Sequence, residues 1–324
     1  EFTNMAQAKL PGAGSTPQYV IVILYSVEFS FGEHVYKTKG VPVLKLKPIL
    51  GDFSDGIIGL NYFTESVLEI NYTKEYIRIH KSIKEINVKE YTACALRKTE
   101  NRLYLPLAIQ INDTLKLEGD FTLDFGSGGS LSLTSLVAHK YNLEAVVSDK
   151  VLHYSKYGGV GGESAGYGFV AEGVRLSDFE FDKVTMEYST DKSGALASSK
   201  SFGLLGNDIL QRFDILIDFS QNMLYLKPNE MYNDEFKFSR LGFSYVDRSQ
   251  TMGAWIVTGL YKNRLPEKHG LKIDDKIILV NGINTQDISY ESQHDFFKAI
   301  DEVTLVVQRG NFTKDISFKL ESVL

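Results

Sequence analysis

Asp124 closes the apolar run Phe121-Thr-Leu and is followed at once by Phe125-Gly126-Ser127-Gly128-Gly129-Ser130. A carboxylate placed where a strand breaks into glycines can accept backbone N–H hydrogen bonds and still face a cleft, the placement that acid/base chemistry requires. Ser127 offers a hydroxyl near it. A plain surface turn uses the same residue types, so the motif must be weighed with the rest of the chain.

Other groups that could do chemistry read differently. Asp214 and Asp218 lie in Phe213-Asp-Ile-Leu-Ile-Asp-Phe219, a strand pattern in which structural hydrogen bonding is the better role. Asn207-Asp208, just after Gly206, suit the cap of a short helix. The glycines of Tyr157-Gly158-Gly159-Val160-Gly161-Gly162 superficially resemble a phosphate loop, but no Lys-Ser/Thr and no helical pattern follow, so a bending hairpin is expected. The six histidines show no pairwise ligand spacing, which argues against a zinc site or a triad. Cys94 is the only cysteine, so the chain can form neither an intrachain disulfide nor a cysteine zinc cluster, and it reads as a small buried residue. No motif calls for a cofactor.

The elements that must position Asp124 are mostly strands. Tyr19–Tyr25, Val41–Leu46, Glu75–Ile79, Leu103–Ile109 and Thr114–Leu117 are short, β-branched or aromatic, and bounded by Gly, Asn and Asp. Thr134–Leu143 has a Thr/Ser start and helical spacing, so a short helix is expected after the Asp124 turn. The fold class is mainly β. A length of 324 residues allows two or three domains with their own cores. The net charge of -6 provides no basic stripe, which argues against nucleic acid as a partner. No apolar run approaches the ~18 residues of a membrane span. Glu1 is not an initiator methionine, so the start is expected to be processed, cut or left out.

The chain also repeats itself. An ungapped offset of 147 residues carries Gly56-Ile57-Ile58-Gly59 onto Gly203-Leu204-Leu205-Gly206, Ile70-Asn71-Tyr72-Thr73 onto Ile217-Asp218-Phe219-Ser220, and Gly12-Ala13-Gly14 onto Gly159-Val160-Gly161. Two copies of one β unit are therefore expected, ending near Lys81 and Pro228. The counterpart of the Asp124 turn falls about 23 residues before Glu1.

This combination resembles the two-lobed aspartic peptidases, particularly the bacterial retropepsin-like group. In that family each lobe supplies an Asp-Thr/Ser-Gly turn, a glycine-tipped flap and a hydrophobic-hydrophobic-Gly segment. The second lobe here carries Asp124-Phe125-Gly126-Ser127, a flap with Tyr157, Gly158 and Gly159, and Leu204-Leu205-Gly206. The first keeps a flap-like Pro11-Gly-Ala-Gly-Ser15 and Ile57-Ile58-Gly59, without its Asp turn. The resemblance implies Asp124 as a catalytic aspartate, Tyr157 as a residue covering substrate, a polypeptide substrate, and export from a bacterial cell. Phe125 departs from the pattern, since its ring cannot supply the hydroxyl that ties the two loops. An active site shared by two chains, each lending Asp124, would restore the carboxylate pair.

Beyond the polar stretch Lys227–Glu235, which reads as a linker, the pattern changes. Leu241-Gly242-Phe243, Gly270-Leu271 with Asp274, Val280-Asn281-Gly282 and a helical Ser289–Ile300 resemble a PDZ domain. Such a domain binds a peptide C-terminal carboxylate at the Leu241-Gly242-Phe243 loop and takes the peptide as an added strand. The expected division is 1–95 for the end of a first lobe, 96–230 for a second lobe and 236–324 for a separate PDZ domain. The expected activity is endopeptidase, the rival being a non-catalytic peptide-binding protein with a degenerate peptidase fold.

Overall fold

The computed structural model describes residues 4–324 except Pro11, Ala13, Ser15, Thr16, Glu100 and Asn101. Its first strands are β1 (Met5–Leu10), β2 (Gln18–Ile23), β3 (Val27–Phe31), β4 (His34–Thr38), β5 (Val41–Val43), β6 (Val67–Asn71) and β7 (Tyr76–His80). Next come β8 (Thr92–Ala95), β9 (Arg97–Thr99), β10 (Arg102–Asn112), β11 (Leu115–Leu123) and β12 (Leu131–Leu133). β13 (Val151–Ser155), β14 (Ser164–Leu176), β15 (Phe179–Ser189), β16 (Gly203–Leu205), β17 (Phe213–Asp218) and β18 (Met223–Pro228) follow. The C-terminal module holds β19 (Phe243–Arg248), β20 (Ala254–Tyr261), β21 (Lys276–Val280), β22 (Ile283–Asn284), β23 (Glu302–Arg309) and β24 (Phe312–Lys319).

The chain is mainly β, and its central body is a closed barrel. Strands β14, β15, β12, β16, β11 and β10 are joined in that order, and β10 pairs back with β14. Alternation explains the core: along β11 the inward positions Leu117, Phe121 and Leu123 are buried and pack with Phe169, Leu105, Leu133 and Leu205.

Part of the repeat recurs in the backbone as two hairpins. Hairpins β6–β7 and β17–β18 are built from segments equivalent at the offset, and they adjoin through β6 and β17 in a sheet ordered β7-β6-β17-β18-β8. Ile70 faces Ile215, Glu69 faces Leu216 and Leu68 faces Ile217. Since Glu69 and Leu216 are repeat equivalents, and the flanking pairs exchange equivalents, this register has the symmetry of a local two-fold axis between those two residues. The turns repeat too. Asn71 Oδ1 accepts from Thr73 Oγ1 and the Lys74 N–H, and Asp218 Oδ1 accepts from Ser220 Oγ and the Gln221 N–H. Asp218 is thus a turn former, as its place in the strand implies.

Four sequence expectations need correction. Val41–Leu46 is a strand only to Val43, because α1 (Lys47–Leu50) begins beyond it with Pro48 in its first turn, where a fixed φ suits a helix start. The helix after Asp124 is two pieces, α2 (Ser135–Lys140) and α3 (Leu143–Val146), separated at Asn142, which takes a left-handed φ of 50°. Asn207 does not cap α4 (Asn207–Leu210): Gly206 holds the cap position without a side-chain bond, and the Asn207 amide is used elsewhere. The stretch Lys227–Glu235 is no free linker, since it begins within β18 and Arg212 Nη1 donates to the Met231 and Tyr232 carbonyls, while the Arg212 guanidinium lies 3.7 Å from the ring centre of Phe236 just beyond it.

Nor is the C-terminal module separate. It contains α5 (Ser249–Met252), α6 (Leu265–Lys268) and α7 (Gln293–Lys298) around a core of Trp255, Val257, Ile277, Val280, Phe297 and Leu305. Its strand β20 pairs with β13, so one hydrogen-bonded sheet runs from the module into the barrel. No described helix is long and apolar enough to cross a membrane.

Candidate active site and peptide groove

The Asp124 turn is held from beneath by β16. That strand lies between β11, with which it runs parallel, and β12, with which it runs antiparallel, so it threads between the strands entering and leaving the turn. The Asp124 N–H donates to Leu205 O at 2.9 Å, Gly206 N–H to Ser130 O at 2.9 Å and Asn207 N–H to Ser127 O at 2.8 Å. Glycine is required there: a Cβ on Gly203 would sit 2.1 Å from Ser132 O, and one on Gly206 2.3 Å from Gly129 O.

Asp124 is half-buried, and Gly126 N–H donates to its Oδ1 at 2.9 Å. Among the described residues no hydrogen bond joins Ser127 Oγ to Asp124, so the backbone, not the serine hydroxyl, holds the carboxylate. Phe125 turns its ring onto the barrel core, and its carbonyl accepts from Asn207 Nδ2 at 2.7 Å. Asn207 Oδ1 in turn accepts from the Tyr72 phenol at 2.6 Å, so a residue of the first repeat steadies the turn of the second.

Tyr157, Gly158 and Gly159 lie at the tip of the β13–β14 hairpin. Gly158 bridges Gly161, and Gly159 has a φ of 59°. The first-repeat hairpin β1–β2 meets this tip: Gly14 N–H donates to Gly158 O at 2.7 Å, and a Cβ on Gly12 would lie 2.0 Å from Gly161 N. Contact this close needs glycine on both sides. Pro11, Ala13 and Ser15 of the first tip lie outside the described residues. Tyr157 is half-buried, with Lys156 Nζ 5.7 Å from its ring centre.

Gly56-Ile57-Ile58-Gly59 forms no strand. Ile58 is 40% exposed, whereas its counterpart Leu205 in β16 is fully buried, because β16 is sandwiched between β11 and β12 and no described strands flank Ile58. No group of His, Cys, Asp or Glu side chains suited to a metal ion occurs among the described residues. Surface cavities of about 370 and 460 Å³ lie beside Arg248 and beside Phe202, away from Asp124.

Two further carboxylates, Glu187 and Asp191, carry no motif in the sequence. Ser132 Oγ donates to Glu187 Oε1 at 2.8 Å, and the buried Asp191 accepts from Ser164 Oγ at 2.6 Å. Burial pushes the Glu187 carboxyl up, against the Ser132 hydrogen bond and with the charge of Asp191. Glu187 sits inside an ordinary strand pattern, which carries no local signal of it.

In the C-terminal module the Leu241-Gly242-Phe243 loop enters β19, with Gly242 at a φ of 69° and Phe243 buried. α7 faces that strand: Tyr245 donates its phenol to Gln293 Oε1 at 2.9 Å, and Gln293 Nε2 donates to Asp247 Oδ2. Tyr245 stacks on Trp255 with ring centres 4.7 Å apart.

Comparison with known proteins bears on this module. Residues 233–308 match the PDZ domain family, so the chain carries a PDZ domain. No curated protein sequence matches the chain. Similar solved structures include the PDZ domain of EpsC from Vibrio cholerae, at 21% identity over 26% of this chain and 78% of that one, with a TM-score of 0.21. Another structure of that domain is 22% identical over 28% of this chain and 99% of that one, at a TM-score of 0.20. The HtrA-type protease AlgW with tripeptide is 10% identical over 78% of this chain and 91% of that one, at a TM-score of 0.21. Neither the family match nor these structures is of an aspartic peptidase.

Proposed function

We propose that the barrel contributes the Asp124 half of an aspartic endopeptidase site, in an exported protein whose PDZ domain binds polypeptide C-termini. The observation that carries this reading is the Asp124 turn threaded by β16 next to a sheet with a local two-fold between Glu69 and Leu216. In such a site two carboxylates share one proton: one polarises the scissile carbonyl while the other takes a proton from the attacking water. The pair titrates as a unit. The second carboxylate would come from polypeptide ahead of Glu1 or from Asp124 of a second copy, and the first repeat's Ile57 and Ile58 are where its turn would be threaded.

The rival reading is a peptide-binding protein with a degenerate barrel. Phe125 favours it, since its ring packs in the core where a hydroxyl is expected to join the two loops. The test is cleavage of an unfolded protein substrate between about pH 3 and 6 by the chain preceded by its upstream coding sequence, with Asp124→Asn as the control. Cleavage lost in Asp124→Asn supports the peptidase. Undiminished cleavage by that variant overturns the role of Asp124, and peptide binding without any cleavage supports the rival.

A further inference from the structure

A PDZ domain takes an extended peptide along the outer edge of the strand that follows its carboxylate loop, and here that edge is already partly occupied. Asp52 N–H donates to Asp247 O at 2.7 Å. Gly51, at a φ of 81°, lies against the same carbonyl, where a Cβ would come within 2.7 Å. The Asp52 carboxylate fills a built site: Thr251 N–H donates to Oδ2 at 2.8 Å, Thr251 Oγ1 lies 2.9 Å from both oxygens, and Arg248 Nε donates to Oδ1 at 2.7 Å. Asp52 is only 6% exposed. Phe53 then stacks on Tyr290, just ahead of α7, with ring centres 4.7 Å apart. Gly51–Phe53 therefore reaches from β19 toward α7 at the end of the strand distant from Leu241-Gly242-Phe243.

Strand geometry gives this site a position in a ligand. Backbone groups alternate between edges, so the carbonyls of Tyr245 and Phe243 share the outer edge with that of Asp247. A peptide whose terminal carboxylate sits at the Leu241-Gly242-Phe243 loop runs antiparallel to β19. It places its last residue at Phe243, its third from last at Tyr245 and its fifth from last at Asp247. Asp52 stands at that fifth place.

We infer that Asp52 is an intramolecular occupant of the PDZ groove, and that the ligand displacing it is a polypeptide C-terminus with a carboxylate side chain at the fifth residue from its end, read by Arg248 and Thr251. This rests on the PDZ domain binding C-termini. The contact also gives the ligand a consequence. Gly51–Phe53 lies between the hairpins of the first repeat and Gly56–Gly59, so a peptide that takes its place releases that segment from the PDZ domain.

The test is fluorescence anisotropy with the full chain and labelled peptides ending in valine with a free carboxylate, carrying either Glu or Gln at the fifth position from the end. Amidated versions serve as controls. Asp52→Ala is expected to bind the Glu peptide about tenfold tighter than the unaltered chain, because a tethered competitor has been removed. Arg248→Ala in that background is expected to erase the preference for Glu over Gln. Phe53→Ala, at a half-open surface position, gives the same direction of change should Asp52→Ala fold poorly. Equal affinities for the unaltered chain and both variants, or no preference for Glu, overturn the inference while leaving C-terminal recognition standing. Binding that does not depend on the free carboxylate overturns the PDZ reading and the inference with it.

Discussion

The phenol of Tyr72 donates to Asn207 Oδ1 at 2.6 Å while Asn207 Nδ2 donates to the carbonyl of Phe125, so the first repeat reaches the Asp124 turn through a single amide. Phe125 cannot make a side-chain tie between loops, and Asn207 supplies a tie from below.

Removing that amide tests its role. Asn207→Ala strands the Phe125 carbonyl and the Tyr72 phenol, whose pKa burial has already pushed to about 12. The expected loss is about 1–3 kcal/mol of stability in urea unfolding, with faster amide exchange at Gly126 and Ser127. Tyr72→Phe should lose less, since it leaves only one acceptor lone pair unmatched. A silent Asn207→Ala in both measurements would show that the turn holds itself.

The glycines divide by what a side chain would meet. Gly203→Ala and Gly206→Ala push a methyl into the Ser132 and Gly129 carbonyls, and should cost at least 1–3 kcal/mol, as overpacking does, or prevent folding. Gly128→Ala and Gly129→Ala meet nothing within 4 Å and should leave the melting temperature nearly unchanged. Equal effects at all four positions would contradict the threading of β16 through the turn.

How much of this was legible depends on the range of the signal. Alternation along Leu117, Phe121 and Leu123 announces a strand, and the recurrence of Gly56–Gly59 at Gly203–Gly206 announces a repeat, because both are written in local spacing. The pairing of β13 with β20 is a meeting of two strand edges far apart in sequence, and edge pairing leaves no local pattern. Asn207 misled for a related reason: its position suits a helix cap, but tertiary partners on Phe125 and Tyr72 claim its amide. Asp52, in a Gly-Asp loop, reads as a turn residue until Arg248 and Thr251 are brought to it.

His153 should make the junction of barrel and PDZ domain acid-sensitive. Burial pushes its pKa from 6.5 down to about 4, and its ring lies 3.3 Å from Ser244 Oγ and against Tyr261. A depressed histidine is neutral when folded and takes up a proton more readily when unfolded. Its contribution is therefore complete above about pH 6.5 and falls away as the pH drops toward 4, by on the order of 3 kcal/mol in all. His153→Leu should flatten the fall in melting temperature over that window. An unchanged acid limb would mean that other groups set it.

The pairing of β13 with β20 makes the PDZ domain part of the support of the β13–β14 hairpin. Lys156 N–H donates to Thr258 O at 2.8 Å and Lys262 N–H to Leu152 O at 2.8 Å, while the Tyr154 phenol donates to Glu267 Oε1 at 2.7 Å. Phe238, ahead of β19 in the domain, packs over Gly168 of β14 so closely that a Cβ there would lie 2.9 Å from its ring. Deleting residues 236–324 would bare the edge of β13 and the apolar side of Tyr154, and unpaired strand edges invite local opening and association. Amide exchange across Val151–Ser155 should then rise by at least tenfold relative to β10 and β11, which keep their own partners. Glu267→Gln or Tyr154→Phe should give a smaller rise in the same strand without removing the domain. Unchanged protection of β13 after the deletion would show that the PDZ domain is tethered beside the barrel and contributes nothing to holding the β13–β14 hairpin.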